Sequence, residues 1–512
     1  MITYGRKRIY CEEQEITREN LIKVLRKAYS DHREIRNQIQ FLIDYEGGIQ
    51  PLPRPKEIRP EIDIKVADGA PTYIKEFKQS YFWGTPALLV QRSENENHSD
   101  SAAAEDSGIN ALNEMMRYGN NLPYSNQQLS EFVENTGIGH TIIIPKNHDE
   151  IRYENGIPVS VFERSALDSR FAFVVYHEGA ILREALGVTF FKSRSGKLKF
   201  TCYTDKYVWR VENWKIVEED DPLKNINVLG MIPIVEFERS VDRTGAWEHQ
   251  ISSIDNLNVQ ISDFANDVSQ ATQQIWWGDN VNLDDDENGD PKTPKSGEWI
   301  LTYSTGDRKA AIQSLDSNLD RASTLNSISY TWNRILQKCH VPITQDSSGG
   351  GSTGSAISMS TGWNDAELDA TREESVIERG LRKELALMLQ CIELAPFSVI
   401  PADDAVRTVH SGDIVFKWRH KNNYDLTVKS NFISTLVAKG FNGRHVIKAA
   451  DAFEDVEAVW NDSREMVEAI QRSQIADDSE DTVTLTSGDP AAQVTQSPII
   501  DGMNTDYVPT VV

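Results

Sequence analysis

Apolar residues recur at helical spacing over residues 17–46, where Leu21, Val24, Leu25, Ile35, Ile39, Leu42 and Ile43 fall on one side. Thr17 is suited to cap that helix and Gly47-Gly48 to stop it. A proline-rich connector, "PLPRPKEIRP", follows, and then a second helical pattern, "PTYIKEFKQSYFWG", ending at Gly84 before a short strand. Residues 92–108, "RSENENHSDSAAAEDSG", are polar and low in complexity, which predicts a mobile excursion.

From Thr141 to Val217 the period changes. Short apolar runs ("TIIIP", "PVSVFE", "RFAFVVYH", "EALGVTFF", "LKFTCYT", "YVWRV", "WKIV") alternate with turn residues. Runs of this length and spacing predict an antiparallel meander, so the first half reads as an α+β domain.

Residues 246–275 return to helix, with Ile254, Leu257, Ile261, Phe264, Val268, Ala271 and Ile275 at alternating steps of three and four. Such a heptad-like stripe suits packing along a neighbouring long helix. At about 1.5 Å per residue it would run roughly 45 Å. Residues 317–339 carry a matching stripe of Leu319, Ala322, Leu325, Ile328, Trp332, Ile335 and Cys339. A pair of amphipathic helices leaves flanks uncovered, which favours association with further subunits. Between them lies an insert, 276–316, with "QIWWGDNVNL" and "GEWILTYS" as strand candidates. A third long helix is expected at 364–394, then a strand at "DIVFKW" and more helix over 426–472.

Composition narrows the function. The 512 residues exceed one ordinary core and predict several domains. Eleven tryptophans argue for real packing, and a net charge of −25 argues against a tight general nucleic-acid binder. The N-terminus has no apolar run after its basic residues and no window is long enough to cross a bilayer, so a soluble protein made in a cytoplasm is expected. Cys11, Cys202, Cys339 and Cys391 form no C-x-x-C pair and read as buried thiols.

Motifs for chemistry are incomplete. "DSSGGGSTGSAISMSTGWNDAE" (346–367) has the glycines of a phosphate loop, but Ser355 and Ala356 stand where Lys and Ser/Thr are needed. The segment reads instead as a loop between helices. "DDDENGDPKTPK" (284–295) offers Asp284 and Asp286 as weak calcium ligands, but Lys295 replaces the bidentate Glu, and Asn288-Gly289 serves equally as a hairpin turn. "PEIDIK" (60–65) supplies half of a metal-nuclease motif, Asp63 and Lys65, and reads better as a solvated alternating segment. The histidines form no triad or metal spacing. No cofactor is expected, and catalysis has no visible seat.

The order of parts resembles the portal proteins of tailed double-stranded-DNA bacteriophages, the siphophage-type branch. The stretches that carry the resemblance are "YIKEFKQSYFWGTP" (73–86), "NTGIGHTIIIP" (135–145), "LDSRFAFVVYHEG" (167–179) and "MIPIVEFERSVDRTGAWEHQISSIDNLNVQISDFANDVSQ" (231–270). The last contains an "iDxxN…SDxxND"-like run, here Ile254, Asp255, Asn258, Ser262, Asp263, Asn266 and Asp267. The likeness covers about residues 17–470. The polar stretch at 92–108, the acidic turn and the glycine-rich loop depart from it.

The resemblance implies a portal fold: an α/β wing (1–245 and 364–425), a long-helix stem (246–275 and 317–342), a small α/β clip (276–316), a tunnel loop (343–363), a helical crown (426–475) and an acidic disordered tail (476–512). It implies a ring of about twelve subunits around a channel for double-stranded DNA, at a capsid vertex of the virion, assembled in the host bacterial cytoplasm. Expected partners are the terminase large subunit, a head-completion adaptor, and the major capsid and scaffolding proteins, with no membrane. Ile254, Leu257, Ile261, Phe264 and Val268 become stem-packing residues; Trp277, Lys292, Lys295, Arg308 and Lys309 become clip contacts. Ser347, Ser348, Gly349, Gly350, Gly351, Ser352, Thr353, Gly354 and Ser355 become the channel lining, neutral so that DNA slides rather than sticks. The alternatives are a packaging-associated NTPase or nuclease, or another head-tail structural protein.

Overall fold

The computed structural model describes residues 5–53, 62–91, 101–154, 157–217, 225–272, 275–279, 281–282, 303–304, 311–315, 321–343, 362–418, 420, 426–450, 460 and 463–464. The chain divides into two compact units, Met1–Lys421 and Asn422–Val512.

In the first unit β1 (Ile9–Cys11) precedes α1 (Leu21–Glu46), α2 (Ala70–Phe82), β2 (Leu88–Gln91), α3 (Ser101–Glu114), a π-helical turn at Met115–Gly119 and α4 (Leu122–Thr136). There follow β3 (Ile138–Pro145), β4 (Tyr153–Glu154), β5 (Ile157–Pro158), β6 (Phe162–Leu167), β7 (Ala172–His177), β8 (Glu184–Lys192), β9 (Leu198–Tyr203), β10 (Val208–Glu212), β11 (Lys215–Ile216) and β12 (Ile234–Glu238). Next come α5 (Ile251–Thr272), β13 (Ile275–Asp279), β14 (Val281–Asn282), β15 (Tyr303–Ser304), β16 (Ala311–Leu315), α6 (Arg321–Lys338), α7 (Trp363–Leu394) and β17 (Ile414–Lys417). The second unit contains α8 (Leu426–Ala438) and α9 (Gly443–Ala450).

α1 begins four residues later than its sequence pattern suggests. Asn20, not Thr17, is the N-cap residue, and Asn20 Oδ1 accepts a hydrogen bond from the Thr17 amide at 2.8 Å. The glycine stop is as expected: Gly47 N donates to Ile43 O at 2.9 Å and Gly48 takes φ 91°. The buried stripe of α1 packs on Phe173, Val175, Leu186, Val188, Phe200 and Val211 of the large sheet. Each such side chain contributes about 1.5–3 kcal/mol by leaving water. His32 sits within that stripe, stacked on Phe173 at 4.6 Å, and burial pulls its pKa down to about 3. It is a neutral core residue.

The expected single meander is two sheets. β7 to β11 do run antiparallel in sequence order, but β1 adds in parallel beside β7, giving β1-β7-β8-β9-β10-β11. β3 and β6 leave that sheet and form a second, β12-β3-β6, because β12, far along the chain, supplies their third partner. α7 lies on this small sheet. The closeness needs Gly380, where a Cβ would come within 2.5 Å of the Phe237 ring.

Two further expectations change. Residues 101–108 of the presumed excursion belong to α3, whose Gly108 lies against the Ala405 carbonyl, 2.4 Å from where a Cβ would stand. Residues 92–100 lie outside the described residues. Ile275 opens β13 instead of closing α5. Within the insert β13 pairs with β16 and β14 with β15, so the partner of the "IWWGD" strand is "AIQSL" at 311–315, which the apolar pattern had not marked as a strand.

Candidate functional site

α5 and α6 pack as a pair, and the base of the pair is anchored in a core shared with α1 and α2. Ile254 and Leu257 are fully buried there with Leu42, Tyr45, Ile74, Trp247, Ile335 and Leu336. Tyr45 stacks on Trp247 at 5.3 Å and its hydroxyl donates to Asp255 at 2.7 Å. Burial then declines along α5: Ile261 and Phe264 are half-buried and Val268 is 41% exposed. On α6, Ile335 is buried, Ile328 and Trp332 are half-buried, and Ala322 and Leu325 are exposed. The stripes therefore pack within one chain only near their base.

The second buried face of α5 is polar. Asn258, Ser262 and Asn266, one turn apart, are each at most 2% exposed and hold an extended segment running the opposite way. Asp68 N donates to Asn258 Oδ1 at 2.8 Å, Val66 N to Ser262 Oγ at 3.0 Å and Ile64 N to Asn266 Oδ1 at 2.7 Å. Four helical residues rise about 6.0 Å and two extended residues about 6.6 Å, so the repeats match. Asn258 Nδ2 also donates to Gln50 Oε1 at 2.6 Å. Asp63 and Lys65 pair with each other at 3.2 Å on this strap. The half-motif thus belongs to a docked segment, and the "N…S…N" of the resemblance acquires a physical role.

A buried charge cluster holds both ends of the segment that joins α6 to α7. Lys78 on α2 donates to Asp369 on α7 at 2.7 Å and to the His340 carbonyl, just past α6, at 3.4 Å. Arg239 donates to Glu134 at 2.9 Å and to Asp369 at 3.0 Å, and Trp83 Nε1 donates to Glu134 at 2.9 Å. Burial alone would raise the Asp369 carboxyl; the Lys78 and Arg239 cations outweigh it and hold the pKa at about 2. Glu373 goes the other way: burial, then repulsion from Glu134, raise its pKa well above the usual carboxylate value. The cluster therefore sets Lys78, Arg239 and, from its exposed edge, Arg372 at 2.8 Å from Asp369 against the carboxylates of Glu134 and Asp369, and favours the protonated form of Glu373 more than water does. His340 at φ 53° and Gly362 at φ 88° turn the chain at either end, and a Cβ on Gly362 would touch Pro342 at 3.7 Å.

Beside this cluster an open cleft of about 350 Å³ is lined by Arg239, His249, Lys338, His340, Asp369 and Arg372 among others. Among the described residues no group of three or more His, Cys, Asp or Glu is placed to hold a metal ion. The four cysteines are buried and unpaired, with Cys339 and Cys391 pushed up to about 12 by burial. No helix among the described residues is long and apolar enough to cross a membrane.

Of the sequence-derived site residues, the five on α5 are placed as above. Trp277 lies in β13 opposite Gln313. Ser347 to Ser355, Asp284, Asp286, Lys292, Lys295, Arg308 and Lys309 lie outside the described residues. Sequence reasoning missed Lys78, Glu134, Arg239 and Asp369. Partners as far apart as Lys78 and Asp369 leave no local signal.

A family model described as "Phage portal protein, SPP1 Gp6-like" matches residues 10–479. A search of curated proteins finds no match.

Proposed function

Because the chain belongs to the SPP1 Gp6-like phage portal protein family, we propose that it forms the ring-shaped channel of a phage capsid vertex, through which genomic double-stranded DNA is packaged and later leaves. The observation that carries this reading is the paired helices α5 and α6, split by a small β insert and followed by a glycine- and hydroxyl-rich segment whose two ends Lys78 holds on one buried cluster. In this reading α5 and α6 are the stem, 276–316 the clip that meets terminase and later an adaptor, 426–475 the crown, and the sheet-bearing body the wing. The protein acts as a conduit with no catalysis of its own.

Residues 347–355 would line the channel. Glycine gives backbone freedom, the hydroxyls give neutral hydrogen bonds, and the lack of Lys or Arg between Cys339 and Arg372 avoids braking DNA through its phosphates. Replacing Gly349, Gly350 and Gly351 by alanine tests this role. Packaging of DNA in a complementation assay is expected to fall while particle assembly persists; unchanged packaging would refute it.

A further inference from the structure

The small sheet β12-β3-β6 ends in an open edge along β12. Ile143 N donates to Pro233 O and Arg239 N to Gly137 O, so the odd-numbered residues of 233–239 bond to β3 and the even-numbered ones turn their main-chain groups away. The Ile234 carbonyl accepts from Lys383 Nζ at 2.6 Å, and Ile234 and Glu238 are buried. Glu236 differs from both. Its side chain, held by Arg243 and the Tyr176 hydroxyl, is only 5% exposed although the residue as a whole is half-buried, so its exposed surface is main chain. Among the described residues its amide and carbonyl have no hydrogen-bond partner. Comparable main chain on β2 is closed by a carboxamide: Asn113 accepts from the Leu89 amide at 3.2 Å and donates to the Leu89 carbonyl at 2.9 Å.

A groove of about 440 Å³ opens onto Glu236. On one face of β12 it is lined by Arg379 and Lys383 of α7, the helix that packs on Phe237. On the other it is lined by Arg183 and by Leu182, which packs with Ile232 and Ile234. Its carboxylates are already engaged, Glu184 by Lys383 and Glu236 by Arg243, and Asp205 lies beside the cation of Lys206. Arg183 has no ion partner among the described residues, and the nearest to Arg379 is Glu238 at 3.8 Å. The groove therefore joins open main chain, an apolar wall and two spare cations.

We propose that β12 takes up an extended, acidic segment of a different protein as an added antiparallel strand, one residue of which exchanges both main-chain hydrogen bonds with Glu236. The opening is one residue long, and only in the antiparallel sense does a single residue make both bonds; a parallel strand needs two. The residue opposite Glu236 is apolar, because its side chain falls on the Ile234 face beside Leu182. Its two neighbours are acidic, because theirs fall on the α7 face beside Arg379. A basic segment would set like charge against Arg183 and Arg379. This inference goes beyond the conduit reading and does not depend on it.

The test uses the full-length chain and a fluorescent peptide, Thr-Glu-Val-Glu-Thr, blocked at both ends. Binding is read by polarisation, and amide hydrogen exchange is read residue by residue by mass spectrometry. Without peptide the Glu236 amide is expected to exchange fast; with peptide it slows by roughly tenfold, while Val235 and Phe237, already bonded to β3, stay as they were. N-methylation of the valine nitrogen removes the donor aimed at Glu236 and is expected to weaken binding roughly tenfold. The same change on the second glutamate, whose N–H faces away from β12, leaves binding intact. Arg379→Gln is expected to weaken binding by roughly threefold to fivefold, and the peptide with lysine for both glutamates is expected not to bind. The methylated peptides probe the unaltered protein, so no outcome turns on whether a variant folds. No binding at about 1 mM peptide, or equal binding of the valine-methylated form, overturns the added strand. An unchanged affinity in Arg379→Gln overturns the acidic partner. Slow exchange at Glu236 in assembled protein but not in single chains gives the edge to a second copy of this chain and overturns the proposal in favour of that occupant.

Discussion

The carboxamide of Asn266 closes a two-point fork on the backbone of Ile64: its oxygen accepts from the Ile64 amide at 2.7 Å and its nitrogen donates to the Ile64 carbonyl at 3.0 Å. Both partners are parts of one polypeptide separated by 202 positions, so the fork fastens the strap to α5 as a strand would be fastened to a sheet. Losing it strands two backbone groups at the helix surface. Asn266→Ala is expected to cost about 1–3 kcal/mol. Amide hydrogen exchange should quicken at Ile64 and Val66 and stay unchanged in β8; slow exchange at Ile64 in the variant would deny the fork its role.

Glu373 gives a pH dependence of unusual sign. Its pKa is raised in the folded state by burial and by Glu134, so the folded chain binds a proton that the unfolded chain has lost above its ordinary carboxylate pKa. This group therefore costs stability as pH rises above about 4.3, and the cost grows until the folded pKa is passed. Glu373→Gln, which mimics the protonated acid, is expected to raise Tm at pH 8, with the gain shrinking toward pH 4. A gain that is constant with pH would show that Glu373 is already ionised in the folded protein.

Asp369 shows the ordinary sign. Held at about 2 against an unfolded value near 3.9, it contributes stability that is fully present above about pH 4 and is lost as pH falls toward 2. Lys78→Met removes the cation that touches both Asp369 and the His340 carbonyl. Breaking one side of such a buried pair costs about 3–5 kcal/mol, and the acid limb of a urea-denaturation series should move to higher pH. An unmoved acid limb would leave the depression of Asp369 to the other groups around it, Arg239 and Arg372, which both donate to its carboxylate, and His340.

Gly380 sets helix propensity against packing. In a helix interior alanine is favoured over glycine by about 1 kcal/mol, yet here a Cβ would lie 2.5 Å from two carbons of the Phe237 ring. Overpacking costs about 1–3 kcal/mol, so Gly380→Ala is expected to destabilise. The companion Gly380→Ala/Phe237→Leu change should recover part of the loss, and a single variant as stable as the parent would mean that α7 shifts freely over β12.

Much of the fold was legible because it is periodic. The stripe of α1, the runs that became β7 to β10, and the three-four spacing of Ile254, Leu257 and Ile261 each report a local face that must be buried. The pairing of β1 with β7 and of β12 with β3 was not legible, since nothing in "IYC" or "IVEFE" names a partner more than 90 residues away. The site divides in the same way. Asn258, Ser262 and Asn266 were visible as a spacing, but their function depends on residues 64–68 arriving beside them. Ionic partners such as Arg239 and Glu134, or the fully buried Arg164 and Glu384 at 2.9 Å, are joined by topology and carry no spacing at all.

The most direct test of the account is the native mass of the purified full-length chain, with two-dimensional particle averages of the same sample. The conduit reading predicts a closed ring of about twelve copies with an axial hole. A small species that stays open in the presence of its scaffolding and capsid proteins, and that hydrolyses ATP or cuts DNA, would contradict it.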